Sequence, residues 1–173
     1  MDGLELRDLT LDDLGIYEAV HCDPAMMEHL GGPLPKEGMA EKLRRDVASI
    51  ASGEARVYVI EPDGPDGPAA GTIAVWEHDA HGDPITEMGW MVLPPFQGRG
   101  VGTAAVRAAL DLVRAEGRWP VVHAFPPVAN EGSNAMCRRA GFSFVEQRGY
   151  EYRGHPLRCN VWRLDLHARS PTS

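Results

Sequence analysis

Three glycines at alternate positions, Gly98, Gly100 and Gly102, stand between the apolar run Met88-Gly89-Trp90-Met91-Val92-Leu93 and a helix-like segment, Thr103 to Glu116. Lacking a Cβ, glycine lets the backbone turn left-handed and pass close to a bulky group. A glycine-rich loop that ends in the free amides of a helix N-terminus is a cradle for phosphate. Arg99 and the dipole of the following helix add positive potential at the same place. The residues alone therefore point to a diphosphate ligand held by a strand–loop–helix unit.

Three kinds of phosphate loop compete for this stretch. A loop of the G-x-x-x-x-G-K-[ST] kind needs a lysine before serine or threonine, and none is present. A dinucleotide fingerprint, G-x-G-x-x-[GA], fits Gly100-Val101-Gly102-Thr103-Ala104-Ala105. It belongs in a tight strand-to-helix turn, with an acid about 20 residues further on. Here Pro94-Pro95-Phe96 lengthens the turn, and the next strand, Val121 to Phe125, runs into Pro126-Pro127 with no acid. The third pattern, [QR]-x-x-G-x-[GA], is met by Gln97, Gly100 and Gly102.

The neighbourhood of that third pattern is specific. Gly89-Trp90-Met91-Val92-Leu93-Pro94 before it has the form G-aromatic-x-V-x-P. Downstream, Asn130-Glu131-Gly132-Ser133 leads through Cys137 to Gly141-Phe142. Together these segments resemble the acetyl-CoA site of the GNAT superfamily of N-acetyltransferases, over roughly residues 3 to 166. The segment Asp23-Pro24-Ala25-Met26-Met27-Glu28-His29-Leu30-Gly31-Gly32-Pro33 is similar to one in the RimJ/RimL-type branch, named after ribosomal-protein N-terminal acetyltransferases. Acceptors in that branch range over protein N-termini, amino acids, polyamines and drugs. The resemblance thus implies a small-molecule or peptide amine without choosing one.

It further implies acetyl-CoA as co-substrate, no metal, and direct attack by the amine while both substrates are bound. It gives the pyrophosphate to Gln97, Gly98, Arg99, Gly100, Val101, Gly102 and Thr103, and the pantetheine to main-chain groups of Trp90, Met91 and Val92. Asn130 and Ser133 would also contact CoA, although Asn130 reads equally as a helix N-cap. The acceptor must lose a proton, because a lysine-like ammonium has a pKa of about 10.4 and an α-amine about 7.7 to 8.0.

Glu87, on the strand leading to the loop and sharing parity with Gly89 and Met91, is the first candidate base. His123, on the following strand, is the second. Cys137 takes the position that many relatives fill with tyrosine. It would return a proton to the leaving thiolate there, or simply pack as a small hydrophobe. Tyr150 and Tyr152 are alternative hydroxyls. Family members often dimerise, so a homodimer is an expectation with no interface attached. An acyl-CoA-binding sensor or partner protein on the same fold, lacking turnover, is the competing function.

Charge narrows the partners. A formal net charge of -8 argues against nucleic acid, whose phosphates need clustered lysine and arginine. It suits a cationic amine, or mere solubility. Cys22, Cys137 and Cys159 are widely spaced with no C-x-x-C, so neither a disulfide framework nor a zinc site is expected, and a reducing cytoplasm fits. His78-Asp79-Ala80-His81-Gly82-Asp83 has metal-ligand residue types but reads as turn chemistry. The beginning Met1-Asp2-Gly3-Leu4-Glu5 lacks a basic region followed by an apolar one, so no secretory signal is expected. No run approaches the roughly 18 apolar residues of a membrane span.

The length predicts a single domain over residues 1–173, with a core at about 3–166 and a short tail at 167–173. Strands are predicted at Leu4–Arg7, Arg56–Ile60, Gly71–His78, Ile85–Leu93, Val121–Phe125, Ser143–Tyr152 and Leu157–Leu166. Helices are predicted from Thr10, over Lys36–Ile50, over Thr103–Glu116 and after Asn130. The expected class is α+β: one mixed central sheet of about six to seven strands, splayed at the cofactor site, with about four helices.

Overall fold

The computed structural model describes residues 3–80 and 83–167. Strands β1 (Glu5–Asp8), β2 (Ala55–Glu61), β3 (Gly71–Ala80), β4 (Asp83–Val92), β5 (Val121–Ala124), β6 (Ser143–Tyr152) and β7 (His155–Asp165) form one seven-stranded sheet in the order β1-β2-β3-β4-β5-β7-β6. Neighbours run antiparallel except β4 and β5, which are parallel. Four α-helices accompany the sheet: α1 (Leu14–His21), α2 (Met39–Ala51), α3 (Val101–Glu116) and α4 (Glu131–Ala140). This is the expected mixed α+β sheet, with α3 as the crossover between the parallel pair.

Local chemistry explains the helix ends. The Thr10 side chain accepts from the Asp12 amide, and the Asp13 carboxylate accepts from the Thr10 amide at 2.7 Å, a reciprocal capping box. The first turn, Leu11–Asp13, is a tighter 3-10 turn, so α1 proper starts only at Leu14. Arg7 donates to Asp13 and to Glu61, each at 2.7 Å, which ties that turn to the two outer strands. At the other end of the crossover, Gly117 has φ +67° and its N–H bonds back to the carbonyls of Val113 and Arg114.

Apolar periodicity then sorts the layers. Val101, Ala105, Val106, Ala109, Leu110 and Val113 form one buried stripe of α3. That stripe packs on Ile60, Ile73, Val75, Met88 and Val122 of the sheet, with Cys137 and Phe142 from the α4 region closing the same core. On the opposite face, Tyr17 of α1 and Leu43 of α2 cover Val57 and Val59. Trp162 lies in the main core as its apolar character predicts, while Trp119, which carries no periodic signal, joins it there.

Two boundaries differ from the sequence expectation in ways that matter. The helix after the glycine loop begins at Val101 rather than Thr103, which places Gly102 inside its first turn. The β3–β4 hairpin is longer than predicted: its strands pair from Gly71↔Val92 as far as Ala80↔Asp83. Of the residues expected to turn it, His81 and Gly82 lie outside the described residues, and Asp79 pairs with Pro84 within the ladder. Residues 168–173, most of the expected tail, also lie outside them. No helix among the described residues is long and apolar enough to cross a membrane.

Candidate functional site

The glycine loop begins where β4 ends. A 3-10 turn, Pro94–Phe96, redirects the chain, and the Gln97 amide closes it by bonding the Pro94 carbonyl at 3.2 Å. The Gln97 side chain then donates to the Val92 carbonyl at 2.7 Å, pinning the loop to the strand end. The main-chain N–H and one side-chain N–H of Gln97 thus serve the scaffold. The run of main-chain N–H groups without a partner among the described residues starts at Gly98.

From Gly98 onward the amides are free. Gly98 and Gly100 have φ of +70° and +83°, left-handed angles that an L side chain adopts only with strain. Among the described residues, the N–H groups of Gly98, Arg99, Gly100, Val101, Gly102 and Thr103 donate to no backbone or side-chain acceptor. The first helical bond of α3 is Ala104 N–H to the Gly100 carbonyl. These unpaired amides sit at the positive end of a 16-residue helix, an arrangement that fits a doubly charged phosphate group. Arg99 is exposed at the same rim.

Gly102 has a different physical reason. A Cβ there would lie 2.5 Å from the Met136 sulfur and 3.3 Å from Val92 Cγ2. It is the point where α3 packs tightly on α4 and β4.

Beside this loop the sheet opens. The β4–β5 ladder holds a single register pair, Glu87↔His123. Beyond it, the chain after β5 follows β7 instead: Pro127 bridges Cys159, Asn160 N–H bonds the Pro126 carbonyl, and Val128 N–H bonds the Arg158 carbonyl. The Met88–Val92 edge of β4 is therefore left without a ladder to β5, and it forms one wall of a wedge that leads to the glycine loop. An extended ligand has main-chain groups to pair with along such an edge.

The far wall is held by Asn134, which sequence reasoning passed over as part of a motif. It is buried; its amide donates to the carbonyls of Pro127 and Asn130, and its oxygen accepts from Asn160 and from the Trp162 indole. A fully bonded buried amide of this kind fixes loop, helix and strand together. Asn130 caps α4 by accepting from the Ser133 amide at 3.0 Å, and the Trp90 indole donates to Ser133 Oγ at 3.3 Å. Trp90 packs edge-on against Phe142, on the face opposite Glu87, Gly89 and Met91.

Cys137 is fully buried, with 0% exposure, inside the main core. Burial pushes its thiol up to about 12. Of the two expectations for this position, acid or small hydrophobe, the burial fits the second, since the side chain reaches no open surface. Cys137→Ala is expected to leave turnover within about threefold while costing about 1 kcal/mol of stability through a small cavity. Thiol release and urea unfolding check the two halves.

Glu87 lies at the inner end of the wedge with a partner the sequence did not announce. His78 Nε2 is 2.8 Å from Glu87 Oε2, and His78 Nδ1 is 3.3 Å from the Asp79 carbonyl. The His78 ring stacks on Trp76 at 6.3 Å, and Trp76 in turn sits so close over Gly89 that a Cβ there would meet it at 3.2 Å. Burial raises the Glu87 carboxyl above its ordinary value, and His78 pulls partly the other way. His123, beside it, is pushed down by burial, and its Nδ1 has no partner among the described residues. Its ring stacks on Phe125, whose other neighbour is Tyr150. Tyr152, by contrast, is exposed on the far hairpin.

A larger cavity, about 490 Å³, lies elsewhere, between β1, β2 and α3, lined by Leu6, Arg56, Tyr58 and Leu112. It holds none of the groups just described. No group of three His, Cys, Asp or Glu among the described residues is placed to hold a metal. The three cysteines are free.

A family model described as an acetyltransferase (GNAT) domain matches residues 3–143. Solved structures agree in fold. The chain is similar to RimL, a ribosomal-protein alpha-N-protein acetyltransferase in complex with coenzyme A, at 20% identity and TM-score 0.80, covering 95% of each chain. It is similar to the Salmonella typhimurium acetyltransferase that modifies the N-terminal serine of a ribosomal subunit protein, at 18% identity and TM-score 0.79, over 95% of this chain and 96% of that one. It is also similar to spermidine N-acetyltransferase from Vibrio cholerae in complex with CoA and spermine, at 18% identity and TM-score 0.79, over 96% and 97% of the two chains. A loop of free amides, a wedge beside it and a family match over most of the length converge, and the chain belongs to the GNAT family of acetyltransferases, whose acetyl donor is acetyl-CoA.

Proposed function

We propose that the protein moves an acetyl group from acetyl-CoA to a primary amine by direct attack within a ternary complex. The observation that carries this reading is the run of free amides from Gly98 to Thr103 at the mouth of the β4–β5 wedge. Those amides, with Arg99, would hold the pyrophosphate, and the Trp90–Val92 edge would pair with the pantetheine. The donor supplies a thioester carbonyl open to nucleophilic attack. Asn130 and Ser133 would line the other side.

Glu87 accepts the amine proton. With His78 Nε2–H donating to Oε2, the Glu87 carboxylate is held in place and its other oxygen is free to take the amine proton. Such a pair is a better base in a half-buried site than a solvated carboxylate, because burial raises its proton affinity toward the working range. His123 stands next in the same row and would receive a water-relayed proton as a second acceptor. Cys137 takes no part, and a CoA thiolate is a good enough leaving group to depart without it.

The acceptor is a peptide or small-molecule amine, consistent with what the similar structures act on. We place the activity in residues 3–166, as one catalytic unit in a reducing cytoplasm, where three free cysteines are at home. Acetyl-CoA with a mixed panel of amines, read by thiol release, is expected to show acceptor-dependent turnover. Tight CoA binding with no turnover on any amine would instead make the protein a sensor.

A further inference from the structure

One row of side chains crosses the sheet on the face away from α3. Register places Glu87 beside His123, and His123 beside Arg163. A groove of about 170 Å³ opens over this row, with His123, Arg148, Tyr150 and Arg163 in its lining. Given about 30 Å³ for each water in the liquid, that is room for a handful of waters or one small molecule.

The charges along the groove are uneven. Arg148 donates to the Glu146 carboxylate, so those two offset each other. Arg163 makes no ion pair or side-chain hydrogen bond with any described residue. His123, between the two ends, is held below its ordinary value by burial and by Arg163 itself, and stays uncharged at neutral pH. What remains is an uncompensated guanidinium, Arg163, in the lining, while the Glu87 carboxylate stands outside the lining, one strand beyond His123, in a chain whose overall charge is -8.

We propose that the acceptor is an amino-carboxylate of about amino-acid size, its amine directed to Glu87 and its carboxylate bound by Arg163. This rests on the acetyltransferase reading above and names the substrate class of the same site. The two residues stand two strand spacings apart, about 10 Å between main chains, which their side chains shorten from both ends. A guanidinium presents a planar fork that matches the two oxygens of a carboxylate. A polyamine would bring a second cation against Arg163 instead.

The test compares proteinogenic L-amino acids, the same amino acids as carboxamides, and spermidine, with wild type and Arg163→Gln. The free carboxylate is expected to favour kcat/KM by about 10- to 100-fold over the carboxamide, the scale of one charge-assisted bond. Arg163→Gln should erase that preference through KM, the free acid losing far more than the carboxamide. Equal use of acid and amide, a preference that survives Arg163→Gln, or a preference for spermidine overturns the proposal. Should no amine turn over, calorimetric titration of N-acetyl-amino acids into CoA-loaded wild type and Arg163→Gln still decides it: equal affinity, or no binding, rejects the subsite. Calorimetry with CoA alone separately judges the acetyltransferase reading.

Discussion

Replacing Glu87 by glutamine is expected to lower turnover by about 10²- to 10⁴-fold, the usual worth of a positioned general base. Glutamine keeps the shape and can still bond His78, but it cannot take a proton. CoA affinity should stay within about threefold, since Glu87 lies at the inner end of the wedge and the phosphate amides lie beyond Val92. The pH dependence gives an independent check. The active base is the ionised carboxylate, and burial raises its proton affinity, so the wild-type rate should climb with pH through a value above the ordinary carboxylate range. In Glu87→Gln that limb disappears, leaving only the rise set by the acceptor's own ammonium. Thiol release measured across pH, with calorimetry for CoA, reads both. Wild-type turnover in the variant would remove Glu87 from the mechanism.

Gly100→Asp should weaken CoA binding by about 100-fold or more, roughly 2.7 kcal/mol. Gly100 caps α3 at φ +83°, so any side chain there is strained, and an aspartate adds an anion among amides that await phosphate. Asparagine tolerates the left-handed angle nearly as well as aspartate without the charge, so Gly100→Asn isolates the electrostatic part and should lose much less. Thermal melts of both variants establish that they fold. If Gly100→Asp binds CoA like the wild type, the phosphates sit somewhere other than this loop.

The two experiments address features of unequal visibility. The glycine loop was legible because its chemistry is local: three glycines and a following helix carry their meaning within a few residues. Even there the sequence shows residue order and not where a donor points. The Gln97 amide turned out to hold the loop against Val92 and Pro94. Gly102 likewise owes its place to Met136, about one helix further along the chain.

The base was half legible. Strand parity put Glu87 on the proper face, yet its partner His78 belongs to the neighbouring strand and looked like part of a turn. Cross-strand partners depend on register, and a hairpin longer than its turn residues suggest shifts which side chains meet. Cys137 was open to two readings, acid or small hydrophobe, because sequence does not show burial; α3 and the sheet enclose it in the core.

The sequence by itself determined the alternation of elements, the phosphate loop, the two helix caps at Thr10 and Asn130 and the family. All of these rest on short-range periodicity or contiguous motifs. Only the tertiary structure decided that β4 and β5 part after Glu87, that His78 holds Glu87, and that Arg163 lines a groove beside His123 with no ion-pair partner among the described residues. Those facts arise from residues on different strands, nine positions apart for His78 and Glu87 and tens for the others, brought together by strand register, and register is settled by burial of a whole face.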